Sequence, residues 1–321
     1  MKVADMTMRP AKISDAAFVA DVDTAIRPQD PRDPVTLEDY WRNPEEHVTI
    51  ERFIGEIGGG RVAYANQRHD DWERSPKRYA SLGGDLLPSH RTATRLDAVV
   101  AAVEDRSRAD GARTFTIWCW EDDALRLDVV TKRGYVEERR QRFWELDLIK
   151  NRKNLEATAA ETRAKMRDQR IRVLTVDRDT DPDKWTKLWH MSEEAIEDIP
   201  TTVPFTGMTL DDFMKWMRSP GLHEDRIWIA RDGDTILGVS ILSFPPKRGV
   251  VSTDWTGVAR AGRGRGVARA LKYETVMQAI GLGVDKVRTD NDFKNTPILH
   301  INETMGYQRR ADGVQYMKPA A

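Results

Sequence analysis

The chain has 321 residues, enough for two ordinary domains that each bury a core. With 40% hydrophobic and 32% charged residues it is too rich in tryptophan and aliphatic side chains to be disordered, and its net charge of −1 sets up no global field toward nucleic acid or an anionic membrane. A single cysteine, Cys119, excludes an internal disulfide and leaves no zinc spacing. Met1 to Pro10 lacks the apolar stretch of a signal peptide, and no apolar run reaches the roughly 18 residues of a bilayer span, so a cytoplasmic protein without metal is expected.

In chain order, Thr7 to Ala11 reads as a short strand, and Asp15 caps a helix to about Ile26 with Ala17, Phe18, Val22 and Ile26 on one side. A proline-rich loop follows (Pro28, Pro31, Pro34). His47 to Ile57 and Arg61 to His69 form a hairpin across Gly58-Gly59-Gly60. Tyr79 to Leu87 is a strand, and Leu96, Val99, Val100 and Val103 mark a helix that closes near Gly111. Thr114 to Trp120 is a strand holding Cys119 as a core residue rather than a nucleophile. Asp122 to Lys132 is a helix, and Phe143 to Leu148 closes the unit after Gly134-Tyr135.

The same order then recurs. Ile171 to Val176 is a strand and Asp183 to Asp198 a helix. Arg226 to Ala230 and Thr235 to Phe244 form a hairpin over Asp232-Gly233-Asp234. Gly249 to Val258 is a strand, Val267 to Leu282 a helix, Lys286 to Thr289 a strand, Asn295 to Thr304 a helix and Val314 to Lys318 the last strand. Lys132-Arg133-Gly134-Tyr135 matches Thr304-Met305-Gly306-Tyr307, which points to an internal duplication. The expected division is a domain over 1–149, a helical linker over 150–169 with alternating charge, and a second domain over 170–321.

Between the strand ending at Val258 and the helix starting at Val267 lies Arg263-Gly264-Arg265-Gly266-Val267-Ala268. Backbone N–H groups at a helix N-terminus have no intrahelical acceptor, and the helix dipole adds partial positive charge there. Gly264 and Gly266 let backbone approach an anion with no Cβ in the way. Arg263 and Arg265 add charge, and each charge-assisted hydrogen bond contributes roughly 1.5–3 kcal/mol. The segment is suited to a di- or polyphosphate. Gly262, Gly264 and Gly266 do not spell a dinucleotide fingerprint, because position 269 is Arg.

The pattern Arg-x-x-Gly-x-Ala after Thr256-Gly257-Val258 resembles the acetyl-CoA loop of the GCN5-related N-acetyltransferases (GNAT), written there Gln/Arg-x-x-Gly-x-Gly/Ala. Downstream, Thr289, Asn291, Asn295, Asn302 and Met305-Gly306-Tyr307 are similar to that family's last strand, helix and closing strand. The resemblance covers nearly the whole chain, specific in the second half and weak in the first, and the tandem arrangement is similar to that of the mycothiol synthases. It implies an α/β (α+β) fold of two tandem GNAT-like domains, each a mixed, mostly antiparallel sheet flanked by helices and splayed near its centre.

The resemblance also implies an acyltransferase that passes acetyl from acetyl-CoA to a primary amine of a small molecule by direct attack, working as a monomer or homodimer. Cofactor contacts would come from Thr256, Gly257, Val258, Arg263, Gly264, Arg265, Gly266, Val267, Ala268, Arg269, Asn291 and Asn295. The Val258 N–H would polarise the thioester carbonyl, and Asp254, on the same strand, is the candidate base, its alternative being a solvent-facing strand residue. Glu194 and Asp198, near the end of the helix where relatives build the acceptor site, would hold a cationic amine or else lie on a solvated helix face. One departure stands out. Asn302 occupies the place where many relatives carry a tyrosine acid, which leaves the acid to a water or makes the chain a non-catalytic CoA-binding or regulatory protein. In the first half the matching segment runs from Leu87 to Leu96, with Arg91 as leading arginine but Thr94 and Leu96 at the small-residue positions. Those side chains stand where backbone would meet phosphate, so the first domain is expected to have lost the cofactor and to keep Arg91 at its surface or at the domain interface.

Overall fold

A computed structural model describes residues 2–3, 5–199 and 201–320. Its first half runs β1 (Lys2–Val3), β2 (Met6–Pro10), α1 (Ala16–Ile26), α2 (Pro34–Arg42), β3 (Val48–Ile57), β4 (Gly60–Asp70), β5 (Tyr79–Leu86), α3 (Ala93–Ala109), β6 (Thr114–Trp120), α4 (Ala124–Lys132) and β7 (Val136–Asp147). A long helix, α5 (Leu148–Asp168), leads into β8 (Arg172–Thr175), α6 (Lys184–Ile196), α7 (Leu210–Met217), β9 (Ile227–Asp232), β10 (Thr235–Ser243) and β11 (Ser252–Val258). The chain ends with α8 (Val267–Gly281), β12 (Lys286–Asp292), α9 (Thr296–Met305), β13 (Gln308–Arg309) and β14 (Gly313–Pro319).

Two helices escape the sequence reading. The proline-rich segment expected as a loop carries α2: Pro34 sits at the first helical position, where its missing N–H costs nothing, and the Asp33 carboxylate accepts from the amides of Val35 and Thr36, both at 2.9 Å. α7 is capped by the Thr209 hydroxyl, which accepts from the Asp212 amide at 3.1 Å, and it buries Phe213 and Met217.

All the strands join one 14-stranded sheet in the order β1-β2-β3-β4-β5-β6-β14-β7-β12-β11-β10-β9-β8, with β13 paired to β7. It is antiparallel except for β5–β6 and β11–β12, one parallel pair near the centre of each half. The halves exchange their closing strands. β14 pairs with β6 of the first half from Gly313↔Trp120 to Pro319↔Thr114, and β7 pairs with β12 of the second half from Lys286↔Asp147 to Asp292↔Gln141. Burial fixes the exchange: Val314 and Tyr316 pack in the first-half core with Leu96, Phe115 and Ile117, while Trp144 and Leu146 pack in the second-half core with Tyr273, Val287 and Leu299. Lys318 adds an ion pair to Glu104 at 2.8 Å. Among the described residues no helix is long and apolar enough to cross a membrane.

Candidate functional site

β11 and β12 pair at one register position, Ser252↔Arg288, with the Arg288 amide donating to Val251 O at 2.9 Å. Beyond that point the strands part. A cleft of about 750 Å³ opens between them, walled by β11, β12, the α8 N-terminus and the end of α6, with Arg139 and Gln141 of β7 on one side. A volume in this range suits a bound small molecule.

The parted edge of β11 presents free backbone. Ala259 N–H donates to Leu237 O at 2.9 Å, so in the antiparallel alternation the neighbouring Val258 turns its N–H and C=O away from β10, toward the cleft; Thr256 does the same. The Thr256 hydroxyl meets Ser240 Oγ at 2.9 Å, and Gly257 is buried against the Trp255 ring. A bulge interrupts the ladder here. Ile241 pairs with Trp255 and Leu242 with Thr253, leaving Asp254 as the extra residue. Bulges re-aim side chains, and this one puts the Asp254 carboxylate into the cleft.

The glycine loop forms the far end. Gly264 and Gly266 hold φ of +72° and +88°, a left-handed conformation that favours glycine, and α8 starts its ladder only with Ala270 N–H to Gly266 O at 3.0 Å. The amides from Gly264 to Arg269 precede that first rung, and Gly264, Gly266, Val267, Ala268 and Arg269 line the cleft. Arg263 is held at the mouth by Asp198 at 2.7 Å, with its Nε–H on Val258 O at 3.3 Å. Arg265 turns outward to Asp232 at 2.9 Å, so the loop receives its amide rather than its charge. A further cation comes from the segment read as a linker: a Cβ on Gly266 would lie 3.1 Å from Lys165 Nζ of α5. Gln169, just after α5, clamps the loop by donating to Arg265 O at 3.0 Å. Glu194 and Asp198 bind this loop as well. Glu194 accepts from the Arg260 amide at 2.6 Å, and Arg263 pulls the Asp198 carboxyl below its usual range.

Three ionisable groups converge at the parting of the strands. Asp254 and Asp290 both keep solvent contact at the open cleft, and the protein walls around them strip part of their water. That desolvation pushes the Asp254 carboxyl up, opposed by the Trp216 indole N–H of α7, which donates to it at 2.6 Å. Asp290, on β12, is pushed up to about 6 in the same way, with Arg139 and Lys272 opposing and Asp254 reinforcing the shift. Lys272, on the sheet-facing side of α8, is 2% exposed and has no carboxylate within 4 Å among the described residues. Burial pulls its ammonium down to about 8, and its Nζ stands 5.4 Å from the centre of the Tyr307 ring. Sequence reasoning named Asp254 but missed Asp290, Lys165, Arg139 and Trp216, and it offered Lys272 only as one of a basic group with Arg260, Arg263, Arg265 and Arg269, either serving a polyanionic ligand or lying on a solvated helix face. Asp290 lies between two residues that had been singled out, Thr289 and Asn291, and alternation along β12 was the signal available for it.

Asn302 is fully buried and donates to Asn291 Oδ1 at 2.7 Å, while its own Oδ1 is buried with no partner among the described residues. The two asparagines thus fix one another, with Asn291 in the cleft wall and Asn302 behind it. Asn295 stands at the cap position of α9 without capping it, its side chain half-buried in the cleft.

Among the described residues the matching place in the first half is closed. β5 and β6 pair from Tyr79↔Thr114 to Leu82↔Ile117, and beyond them the gap is filled by a buried ion cluster. Arg126 donates to Gly84 O at 2.7 Å and Asp85 at 3.2 Å, while Arg91 binds Asp85 at 2.7 Å and Asp123 at 2.5 Å. Arg91 was expected at the surface or the domain interface; it is instead an internal strut, because two carboxylates face it where a ligand would lie. Thr92 caps α3 by accepting the Arg95 amide at 3.3 Å, and Leu96 is fully buried in the core.

A mixed, mostly antiparallel sheet with one splayed parallel pair and a glycine loop at the following helix defines a tandem acetyltransferase-type architecture. No protein-family model and no curated protein sequence matches the chain. Among solved structures it is similar to a tandem GNAT protein of the clavulanic acid biosynthesis pathway, at TM-score 0.75 and 14% identity over 98% of this chain and 99% of that one. It is also similar to a GCN5-related N-acetyltransferase from Sphaerobacter thermophilus, at TM-score 0.66 and 18% identity over 100% and 97%. A third likeness is to the GCN5-related glucosamine N-acetyltransferase region of a fungal multi-domain β-N-acetylglucosaminidase, at TM-score 0.68 and 13% identity, where 98% of this chain covers 38% of that one. The chain has the tandem GNAT fold.

Proposed function

We propose that this protein transfers acetyl from acetyl-CoA to a primary amine of a small molecule, in the cleft of its second half. The observation that carries the reading is the conjunction of the Val258 N–H and the Thr256 backbone edge turned toward the cleft, a left-handed glycine loop and a raised carboxyl at the bulge, all in one cleft. The residues fit the cofactor. The amides of Gly264 to Ala268, with Lys165 and Arg269, would hold the diphosphate, and Thr256 to Val258 would pair with the pantetheine as an added strand edge. Bound there, acetyl-CoA supplies an activated acyl carbon and a thiol leaving group.

The chain's own residues perform the rest. The Val258 N–H donates to the acyl oxygen and stabilises the charge that develops on it. Asp254, with Asp290 beside it, accepts the proton released when the amine nitrogen bonds to the acyl carbon. Asp290, pushed up to about 6, has a basicity suited to proton transfer near neutral pH, and the Asp254 carboxyl is raised in the same direction. Lys272 returns a proton to the departing sulfur. Its ammonium near 8 is matched to a thiol, whose ordinary pKa is about 8.5. Lys272 thereby takes over the part that Asn302 cannot play.

The acceptor enters from the first half. A second cavity of about 330 Å³ shares Arg139 and Ile199 with the cleft and is lined by Glu45, Glu46, Arg68 and Asp70 of the first half and Thr206 and Asp212 of the second. Glu194 and Asp198 stand at the cofactor loop, so in this reading they position Arg260 and Arg263, and the acidic lining of the second cavity draws in the cationic amine. The test is release of CoA thiol from acetyl-CoA against an amine library. Turnover that disappears in Asp254→Asn supports the reading, and tight CoA binding with no turnover on any amine refutes it.

A further inference from the structure

Away from the acyl cleft, under the α1–α2 pair of the first half, lies a small, partly open cavity of about 80 Å³. It sits on one face of the β3–β4 hairpin, where Arg52 is paired with Asn66 and Arg68 with Ile50, so alternation along both strands turns the two arginines to the same side. Tyr40 and Trp41 of α2 roof it, and Arg32, just before α2, closes one side.

The charges do not balance. Arg32 is paired with Asp23 at 2.5 Å, and Arg68 reaches both oxygens of Glu45 from one terminal nitrogen at 3.1 Å. Arg52 has no carboxylate within 4 Å among the described residues, and its guanidinium lies over the rings of Trp41 at 4.8 Å and Tyr40 at 5.6 Å. Burial, with Arg32 adding to it, pulls Arg52 down. Two donors, Arg52 Nη2 and Arg68 Nε, are buried with no acceptor among the described residues, and both residues line this cavity. Buried guanidinium N–H groups are retained without a partner only where something else compensates them. The space exceeds that of one water, roughly 30 Å³, and matches a single oxyanion group.

We infer that the first half, having no cofactor cleft, carries an oxyanion site in which Arg52 and Arg68 bind a phosphate or carboxylate group. Arg52 supplies the uncompensated charge and its buried Nη2 donor, while Arg68, held by Glu45, adds its buried Nε–H. Arg68 also lines the cavity proposed for the acceptor, so the anion can come from two sources: the far end of the acceptor molecule, or a free small anion bound for its own sake. The anion site itself does not depend on the assignment of the acyl cleft.

The test is thermal melting of the full chain against inorganic phosphate, at ionic strength held constant with chloride, for the wild type, Arg52→Gln and Arg263→Glu. A saturable rise in Tm is expected in the wild type and in Arg263→Glu, and its loss in Arg52→Gln. Without phosphate, Arg52→Gln should melt at or above the wild-type temperature, since it removes an uncompensated charge. Should that variant fold poorly, Arg52→Lys keeps the charge without the fork and should bind phosphate at least tenfold more weakly. Preference in turnover for amines bearing a phosphate or carboxylate over plain alkylamines, lost in Arg52→Gln, places the anion on the acceptor; phosphate binding without that preference marks a free anion. A saturable rise that survives in Arg52→Gln, or disappears only in Arg263→Glu, assigns the binding to the glycine loop and overturns the inference, as does no saturable rise at all. CoA binding, followed separately, shows whether the acyl cleft stands or falls without it.

Discussion

Arg139 of β7 donates to Asp292 of β12 at 2.5 Å, so a residue from the first half's closing strand forms a wall of the second half's cleft. Asp292 is nearly fully buried and Arg139 mostly so. The exchange of strands, not a surface contact, brings them together. Arg139 also holds down the neighbouring Asp290 carboxyl, which links the strand exchange to the chemistry.

Removing Arg139 strands a buried carboxylate. Arg139→Ala should lower stability by roughly 3–5 kcal/mol, the usual cost of breaking a buried pair from one side, as read by urea denaturation. Arg139→Lys should recover only part of it. Wild-type stability in Arg139→Ala would mean that the pair contributes nothing to the junction.

The first-half ion cluster makes a contrasting case. Arg91→Ala leaves Asp85 and Asp123 with one guanidinium fewer and should destabilise the fold by roughly 3 kcal/mol or more. Its affinity for CoA should be unchanged. A loss of CoA binding in a folded Arg91→Ala would show that the first half takes part in holding the cofactor.

Activity should follow a bell in pH. The base works only deprotonated, so kcat/KM rises through a limb near the value of about 6 for Asp290. The acid works only protonated, so activity falls above the value of about 8 for Lys272. Lys272→Met should cut kcat by on the order of 100-fold, within the usual contribution of a positioned proton donor, and remove the alkaline limb. Survival of that limb in Lys272→Met would assign it to another group.

Both shifts have a stability counterpart. The Asp290 carboxyl is raised in the folded state, so it favours folding while protonated, and that contribution is lost as pH rises through about 6. Asp290→Asn should therefore gain in Tm over the wild type as pH goes from 4 to 8. Lys272 is depressed, so its charged form opposes folding below about 8, and Lys272→Met should melt higher than the wild type at pH 7. Differential melts across that range check both signs.

The sequence made the fold legible where period and punctuation agree. The strand–glycine loop–helix from β11 to α8 and the helix ending in Gly306-Tyr307 are local patterns, and each lies where it was read. The glycine-loop residues lining the cleft were legible for the same reason. What was hidden is non-local. Nothing in the composition of β7 says that it closes the other half's sheet, so Arg139 could not be placed in the cleft. Helix α2 was masked by its own prolines, because Pro34 serves as a helix start as readily as a loop residue. Lys272 and Lys165 lie on helices whose charged residues mostly face solvent, and only the packing of α8 on the sheet and of α5 on the loop distinguishes them. Glu194 and Asp198 were read as acceptor residues from their place at the end of a helix where relatives build that site, and what the sequence did not show is their contact with the loop, Glu194 on the Arg260 amide and Asp198 on Arg263.

Acetyl-CoA binding in the proposed reaction depends on the glycine loop at the head of α8. Calorimetric titration of CoA into the wild type and into Gly266→Val measures it most directly. Gly266 is left-handed at φ +88°, and a side chain there would meet Lys165 Nζ at 3.1 Å, so valine both strains the turn and displaces a cation. One CoA per wild-type chain is expected, with at least 100-fold weaker binding by a folded Gly266→Val. Two CoA per chain, none, or undiminished affinity in that variant would contradict a cofactor site at this loop.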